Sequence, residues 1–245
     1  MLSVIIITKN EAKNIRRCLQ SVSWADEIIV LDAGSSDTTI DIAKEYTQNV
    51  FVTDWLGYGV QKQRALEHAV GDWVLNVDAD EVVDELLQQE IRQAMLTATA
   101  EAYRIPIRMC FYGKQLRFSS CPKRHIRLFK RERARYSQDI VHEKIILLPQ
   151  TKVAQLAMPL LHYSFHDLTH AVDKMNKYSS YSANIRRQNE QTTKFLLVFF
   201  GSLWMFVRCY ILQRGFLDGK EGWILAALNA QGSLYRGLKQ LYPDQ

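Results

Sequence analysis

The sequence predicts an α/β fold, a mostly parallel and doubly wound central sheet followed by a C-terminal helical extension. Three observations carry that expectation. Apolar, β-branched runs alternate with helical periodicity four times within residues 1–100. These runs lead into polar residues, among them Thr8, Asp32 and Asp78. From residue 166 onward the pattern is helical alone.

Residues 3–8 form a continuous β-branched run, as in a strand buried on both faces. Asn10 and Glu11 are expected to open a helix carrying Ile15, Leu19 and Val22. Residues 27–31 are the second strand and end at Asp32. A turn over 33–37 then leads into a helix reaching Tyr46. Residues 50–53 are the third strand, 58–70 a helix, 73–77 the fourth strand ending at Asp78, and 83–97 a helix. In such sheets ligands bind beyond the carboxyl ends of the strands, so Thr8, Asn10, Asp32 and Asp78 are expected to share one crevice. Residues 103–148 read as short alternating strands over 103–108, 124–129 and 144–148. The implied organisation is a catalytic domain over 1–165, with halves 1–100 and 101–165, and a helical, membrane-associating region over 166–245.

The chain has 245 residues, 47% hydrophobic and 23% charged, which suits a packed core and excludes global disorder. Its net charge of +5 hides an asymmetry. Residues 1–100 hold 8 basic and 16 acidic groups, whereas 104–135 hold 11 basic groups against Glu132 alone. A nucleic-acid binder spreads basic charge over a face with aromatics. A basic block beside an acidic domain suits a polyanion bound at one place, and nucleic acid is not expected as a partner. The four cysteines, at 18, 110, 121 and 209, show no CxxC spacing and read as reduced thiols of the cytosol. The N-terminal apolar run lacks a charged leader and a small-residue cleavage site, so it reads as a strand.

The chemistry is concentrated in Asp78-Ala79-Asp80-Glu81, three carboxylates in four residues after an apolar strand. Buried carboxylates that repel one another need a cation. Hard oxygen ligands favour Mg²⁺ or Mn²⁺, with diphosphate oxygens completing the shell. The plainer alternative is a solvated turn capping the next helix, although Asp84 and Glu85 are available for capping. Asp32 suits a base N–H or ribose hydroxyls, with Asp37 better placed as a cap. Thr8, Asn10 and Glu11 fit a nucleotide contact and a helix N-terminus equally.

The stretches Ile-Ile-Thr-Lys-Asn-Glu at 6–11, Leu-Asp-Ala-Gly-Ser-Ser-Asp at 31–37 and Val-Asp-Ala-Asp-Glu at 77–81 resemble family 2 glycosyltransferases of the GT-A nucleotide-diphospho-sugar transferase fold. The stretches at 55–64, 127–130, 141–143 and 215–219 resemble more narrowly the inverting glucosyltransferases that extend the heptose region of lipopolysaccharide inner core. The resemblance implies that Thr8, Glu11 and Asp32 hold the nucleoside. Asp78 would hold the ribose or metal and Asp80 the metal. Lys62 or Arg64 would touch the base or diphosphate; the sequence reads Gln61-Lys62-Gln63-Arg64 where relatives place Asn after a cation, so either can make the contact. Glu143 would be the general base of a single displacement, with Asp139 its competitor. Some relatives recruit a downstream histidine to the metal, and His142 and His162 are the two candidates.

The implied reaction moves a hexose, expected to be glucose from a UDP-sugar, to a lipid-linked anionic oligosaccharide. Arg104, Arg124 and Arg127 stand in the basic block that would bind that acceptor, against the alternative of a solvated strand edge. The apolar stretch Phe195–Leu212 keeps Arg208 inside, which suits an interfacial helix better than a span. Residues 223–242 repeat helical spacing in Ile224, Leu228, Gln231, Tyr235 and Leu238. The expected location is cytoplasmic, peripheral on the inner face of the cytoplasmic membrane. A polyprenyl-phosphate sugar transferase and a non-catalytic nucleotide-sugar-binding subunit are the alternatives; the first would favour an apolar acceptor groove, the second would not need a base.

Overall fold

The computed structural model describes residues 1–119, 124–137, 144–165 and 167–243. The chain divides into two compact units, Met1–Ile107 with Lys123–Tyr163 and Arg108–Pro122 with Ser164–Gln245. The division places 108–122 with the C-terminal helices, whereas the sequence grouped it with the acceptor half.

In the first unit, β1 (Leu2–Thr8), α1 (Ile15–Val22), β2 (Glu27–Asp32), α2 (Thr39–Lys44), β3 (Val50–Val52), α3 (Tyr58–His68) and β4 (Trp73–Asn76) alternate as expected. They are followed by β5 (Glu81–Val82), α4 (Glu85–Thr97) and β6 (Ala102–Phe111). The strand order begins β3-β2-β1-β4, and these pairings are all parallel. β8 (Arg124–Lys130), numbered after the two-residue β7 (Lys114–Gln115), then inserts antiparallel between β4 and β6. The architecture is therefore α/β, a parallel half continued by antiparallel strands. β9 (Ala134–Tyr136) and β10 (Ile145–Leu147) form a separate two-stranded sheet. β11 (Val153–Gln155) pairs with β6, and β12 (Leu160–His162) pairs with β5.

Burial explains the unbroken apolar runs. Leu2, Val4 and Ile6 of β1 pack on Ile15 and Leu19 of α1 and Leu87 and Ile91 of α4. Ile5 faces the other way, with Ala65 and Leu66 of α3 and with Phe129. Successive side chains of one strand thus enter opposite layers, so neither parity can be polar. Gly71, between α3 and β4, has no room for a side chain: a Cβ there would lie 2.7 Å from Ser3 Oγ and 2.9 Å from Met1 O.

The first helix begins later than its sequence suggests. Asn10 adopts a left-handed backbone (φ 56°), which a helix cannot propagate, and α1 starts only at Ile15. Asn10 instead staples two loops: its N–H donates to Ser35 Oγ at 2.8 Å and its Oδ1 accepts from Ser36 N at 2.8 Å.

In the second unit, α5 (Leu168–Gln188) is followed by α6 (Phe195–Val207) and α7 (Lys220–Leu241), and a π turn over Arg208–Leu212 and a 3₁₀ turn over Gly215–Asp218 join the last two. Asp218 is buried and accepts four hydrogen bonds, from the N–H groups of Arg117, Phe118 and Ser119 and from Ser119 Oγ, at 2.6–2.9 Å. Burial pushes its pKa up, but these bonds outweigh it and hold the carboxyl below its ordinary range. Gly237 of α7 meets Val198 of α6 so closely that a Cβ would lie 2.5 Å from both Val198 methyl carbons.

Candidate active site

The parallel half brings the polar strand ends together. Thr8 and Asp32 are register partners at the carboxyl ends of β1 and β2, and β4 runs parallel on the other side of β1. The strand order reverses between β1 and β4, and in open α/β sheets ligands bind beyond the strand ends at such a switch point. Thr8 Oγ1 is buried with no hydrogen-bond partner among the described residues. Asp32 is fully buried, and its carboxylate accepts from Ser35 N at 2.6 Å and Ser35 Oγ at 2.5 Å. Glu11 Oε2 accepts from Asn14 Nδ2 at 2.8 Å.

The acidic turn is not left to an external cation alone. Lys62 Nζ lies 3.0 Å from Asp78 Oδ1, and Arg127 Nη2 lies 2.9 Å from Asp78 Oδ2 and 2.7 Å from Glu81 Oε1. Asp78 N–H closes the turn onto Glu81 Oε2 at 2.8 Å. Two cations thus offset Asp78 and Glu81. Burial pushes the Asp78 carboxyl up, but the charges of Arg127 and Lys62 pull it far below the carboxylate range. Glu81, only 1% exposed, goes the other way: burial lifts it to about 7 against the pull of Arg127. Arg127 is buried too, yet its two carboxylate neighbours keep it firmly charged.

Asp80 stands apart from this cluster. Its Oδ2 is 3.0 Å from Nε2 of His162, and both side chains are partly exposed. Two backbone features force the meeting: His162 is the register partner of Glu81 in the β5–β12 ladder, and Tyr163 N–H donates to Asp80 O at 2.8 Å. Burial pulls the His162 pKa down, but the hydrogen bond and charge of Asp80, with Glu81 and Asp78 behind, raise it above its ordinary value. A carboxylate and an imidazole facing each other at the mouth of an anionic turn fit a divalent ion whose remaining ligands are oxygens from a bound diphosphate. No group of three or more His, Cys, Asp or Glu side chains able to hold a metal occurs among the described residues, so the ligands from outside the chain are essential to that fit.

The structure resolves several alternatives and corrects others. Lys62, not Arg64, reaches the acidic turn; Arg64 Nη1 pairs with Asp54 Oδ1 at 2.8 Å. Asp78, expected on ribose or metal, has both oxygens paired with cations, Oδ1 with Lys62 and Oδ2 with Arg127. Arg127, expected on the acceptor surface, is a buried structural cation instead. Arg104 and Arg124 are exposed on adjacent strands, and Arg124 donates to Gln155. The basic block is also partly consumed internally, Lys114 by Glu221 at 3.1 Å and Arg133 by Glu101 at 3.0 Å. Asp84 accepts from Leu87 N at 2.9 Å and caps α4, so the acidic turn is not needed as a cap. Asp139, His142 and Glu143 lie outside the described residues. Sequence reasoning missed the roles of Glu81 and Arg127. The available signal was an arginine set in the apolar stretch Ile126–Phe129, where a lone cation needs a buried partner.

The profile of glycosyl transferase family 2 matches residues 3–142. An uncharacterized glycosyltransferase of Rickettsia typhi is 33% identical over 236 residues, 91% of this chain and 80% of that protein. The lipopolysaccharide core biosynthesis glycosyltransferase LpsC of Rhizobium meliloti is 29% identical over 250 residues, 94% and 90% of the two chains. The crystal structure of S. aureus TarS 1–349 in complex with UDP-GlcNAc aligns with a TM-score of 0.49 at 14% identity, covering 97% of this chain and 90% of that one.

Proposed function

The chain belongs to glycosyl transferase family 2, and from that membership we propose that it is an inverting hexosyltransferase, moving glucose from UDP-glucose to an inner-core oligosaccharide of lipopolysaccharide. The observation that carries the reading is the Asp80–His162 pair, poised at 3.0 Å beside a turn whose other charges are already balanced. The similarity to LpsC supports the acceptor class. The lipid-linked acceptor places the reaction at the inner face of the cytoplasmic membrane.

The residues act by holding charge and geometry. Thr8 Oγ1 offers an unused hydrogen bond to the nucleoside, and Asp32 shapes the turn over which the base lies. Lys62 and Arg127 hold Asp78 between them and keep the acidic turn in shape beneath the donor site. Asp80 and His162 would hold Mn²⁺ or Mg²⁺, which when bound neutralises charge on the leaving diphosphate. Glu143 takes the proton of the acceptor hydroxyl on the opposite side of the sugar, and a single displacement inverts the anomeric centre. Arg104 and Arg124 meet the anionic acceptor.

Calorimetric titration of UDP-glucose with and without Mn²⁺ tests the donor site; the expected result is binding that strengthens with the ion. Equal affinity in both conditions overturns the metal assignment. Glu143→Gln is expected to lower kcat by about 10²–10⁴ at unchanged donor affinity. Near-full turnover in that variant, with loss in Asp139→Asn, moves the base to Asp139.

A further inference from the structure

Along Phe195–Leu212 the chain is long and apolar enough, by length and composition, to cross a membrane. Phe195, Leu196, Leu197, Phe199, Phe200, Leu203 and Trp204 are each more than half exposed, as are Ile211 and Leu212 in the π turn. Only Val198 and Cys209 of this stretch are buried. A soluble protein rarely leaves so large an apolar face in water without a partner.

We propose that α6 and the turn after it dock flat into one leaflet of an anionic phospholipid bilayer, without crossing it. Charge favours lipid over a second copy of the chain. Residues 191–217 contain Lys194, Arg208 and Arg214 and no Asp or Glu. All three cations are exposed, so self-association would crowd like charges, whereas anionic headgroups answer them. Trp204 and Trp223, both more than half exposed, are the amphipathic aromatics that favour the headgroup level.

The packing of α6 argues against the transbilayer alternative. Val198 near one end of α6 sits against Gly237 of α7, and Phe206 near the other end meets Trp223, with ring centroids 6.4 Å apart. The two helices therefore run antiparallel side by side over their length. A crossing α6 would carry α7 with it, including Arg236 and Lys239. Lys239 Nζ is further bound to α5, through Asn176 O at 3.0 Å, Asn176 Oδ1 at 2.6 Å, Ser179 Oγ at 2.9 Å and Ser180 Oγ at 2.7 Å. Such a polar, cross-linked bundle is costly in hydrocarbon, but with α6 flat at the interface it stays in water.

The inference deepens the proposed location and depends on it only for which bilayer is meant. The test uses plain vesicles without any sugar acceptor, so its failure leaves the transfer reaction standing. The full chain is floated with phosphatidylcholine vesicles and with vesicles half phosphatidylglycerol. Salt-sensitive co-flotation with the anionic vesicles is expected, reduced roughly tenfold or more by Leu203→Glu with Trp204→Glu. Circular dichroism and UDP-glucose binding check that this variant is folded. Quenching of Trp204 by brominated lipids, read as the difference from Trp204→Phe, should be strongest for bromines near the headgroup. No binding to either vesicle overturns the proposal. So does a stable dimer that the double variant dissolves without any vesicle binding, and so does strongest quenching at the bilayer centre.

Discussion

At the end of β4, charged side chains are withdrawn from water; along Phe195–Leu212, nine large apolar side chains stand in it. Lys62, Glu81 and Arg127 are each at most 6% exposed, yet every one of them has an opposite charge within 3.0 Å. On α6, Phe199, Phe200 and Leu203 are all more than half exposed. Both regions depart from the ordinary partition of polar and apolar groups, but one is satisfied internally and the other is not. The difference separates architecture from recognition. Buried, paired charges hold a turn in shape. Exposed apolar groups gain little within the chain, and covering them with a partner is what would stabilise them.

The largest effect is expected at the buried charges. Arg127→Met leaves Glu81 buried beside Asp78 without a cation, and is expected to cost about 3–5 kcal/mol in urea unfolding at neutral pH. A loss below about 1 kcal/mol would mean that the cluster is not what holds the turn.

Asp80→Asn sharpens the same region by separating shape from binding. Asp80 is partly exposed and lies outside the paired cluster, so thermal stability should change little. UDP-glucose affinity in the presence of Mn²⁺ should fall at least about 100-fold, the upper end of what loss of an outer-shell partner costs. Retained metal dependence in a folded variant would contradict the Asp80–His162 assignment.

Asp218 is the counterpart buried carboxylate of the second unit, held by hydrogen bonds rather than by a cation. Asp218→Asn should destabilise by about 1–3 kcal/mol. Because its folded pKa lies below the ordinary value, its contribution is present above about pH 4 and is lost as pH falls through the folded value. Chemical denaturation between pH 2 and 6 should therefore show a flatter acid limb in the variant; an unchanged limb would remove Asp218 as its source.

The smallest effect is expected on α6. Phe200→Ser removes a side chain that is 60% exposed, and stability should stay within about 0.5 kcal/mol of wild type while solubility improves. A loss above about 2 kcal/mol would show that this face is part of the core after all.

The alternation of strands and helices, the polar strand ends and the acidic turn are legible in the amino-acid sequence alone. These are local patterns. A strand buried on both faces must be apolar at both parities, and consecutive carboxylates after such a strand are visible without any folding. The same is true of Phe195–Leu212, whose composition announces an apolar helix before any partner is known.

Which partners meet depends on how distant elements pack. Lys62 rather than Arg64 reaches Asp78 because the two lie half a helical turn apart on α3, and one turns toward the sheet while the other turns to Asp54. Arg127 faces the acidic turn, and not solvent, because strand parity and the antiparallel register of β8 beside β4 direct it there. His162 meets Asp80 across 82 residues of sequence only because β12 closes on β5, with His162 opposite Glu81. A one-residue slip in that ladder would turn the imidazole to the other face and leave the acidic turn without it. Such pairings are set by register between distant strands, a property of the assembled sheet that no local pattern encodes.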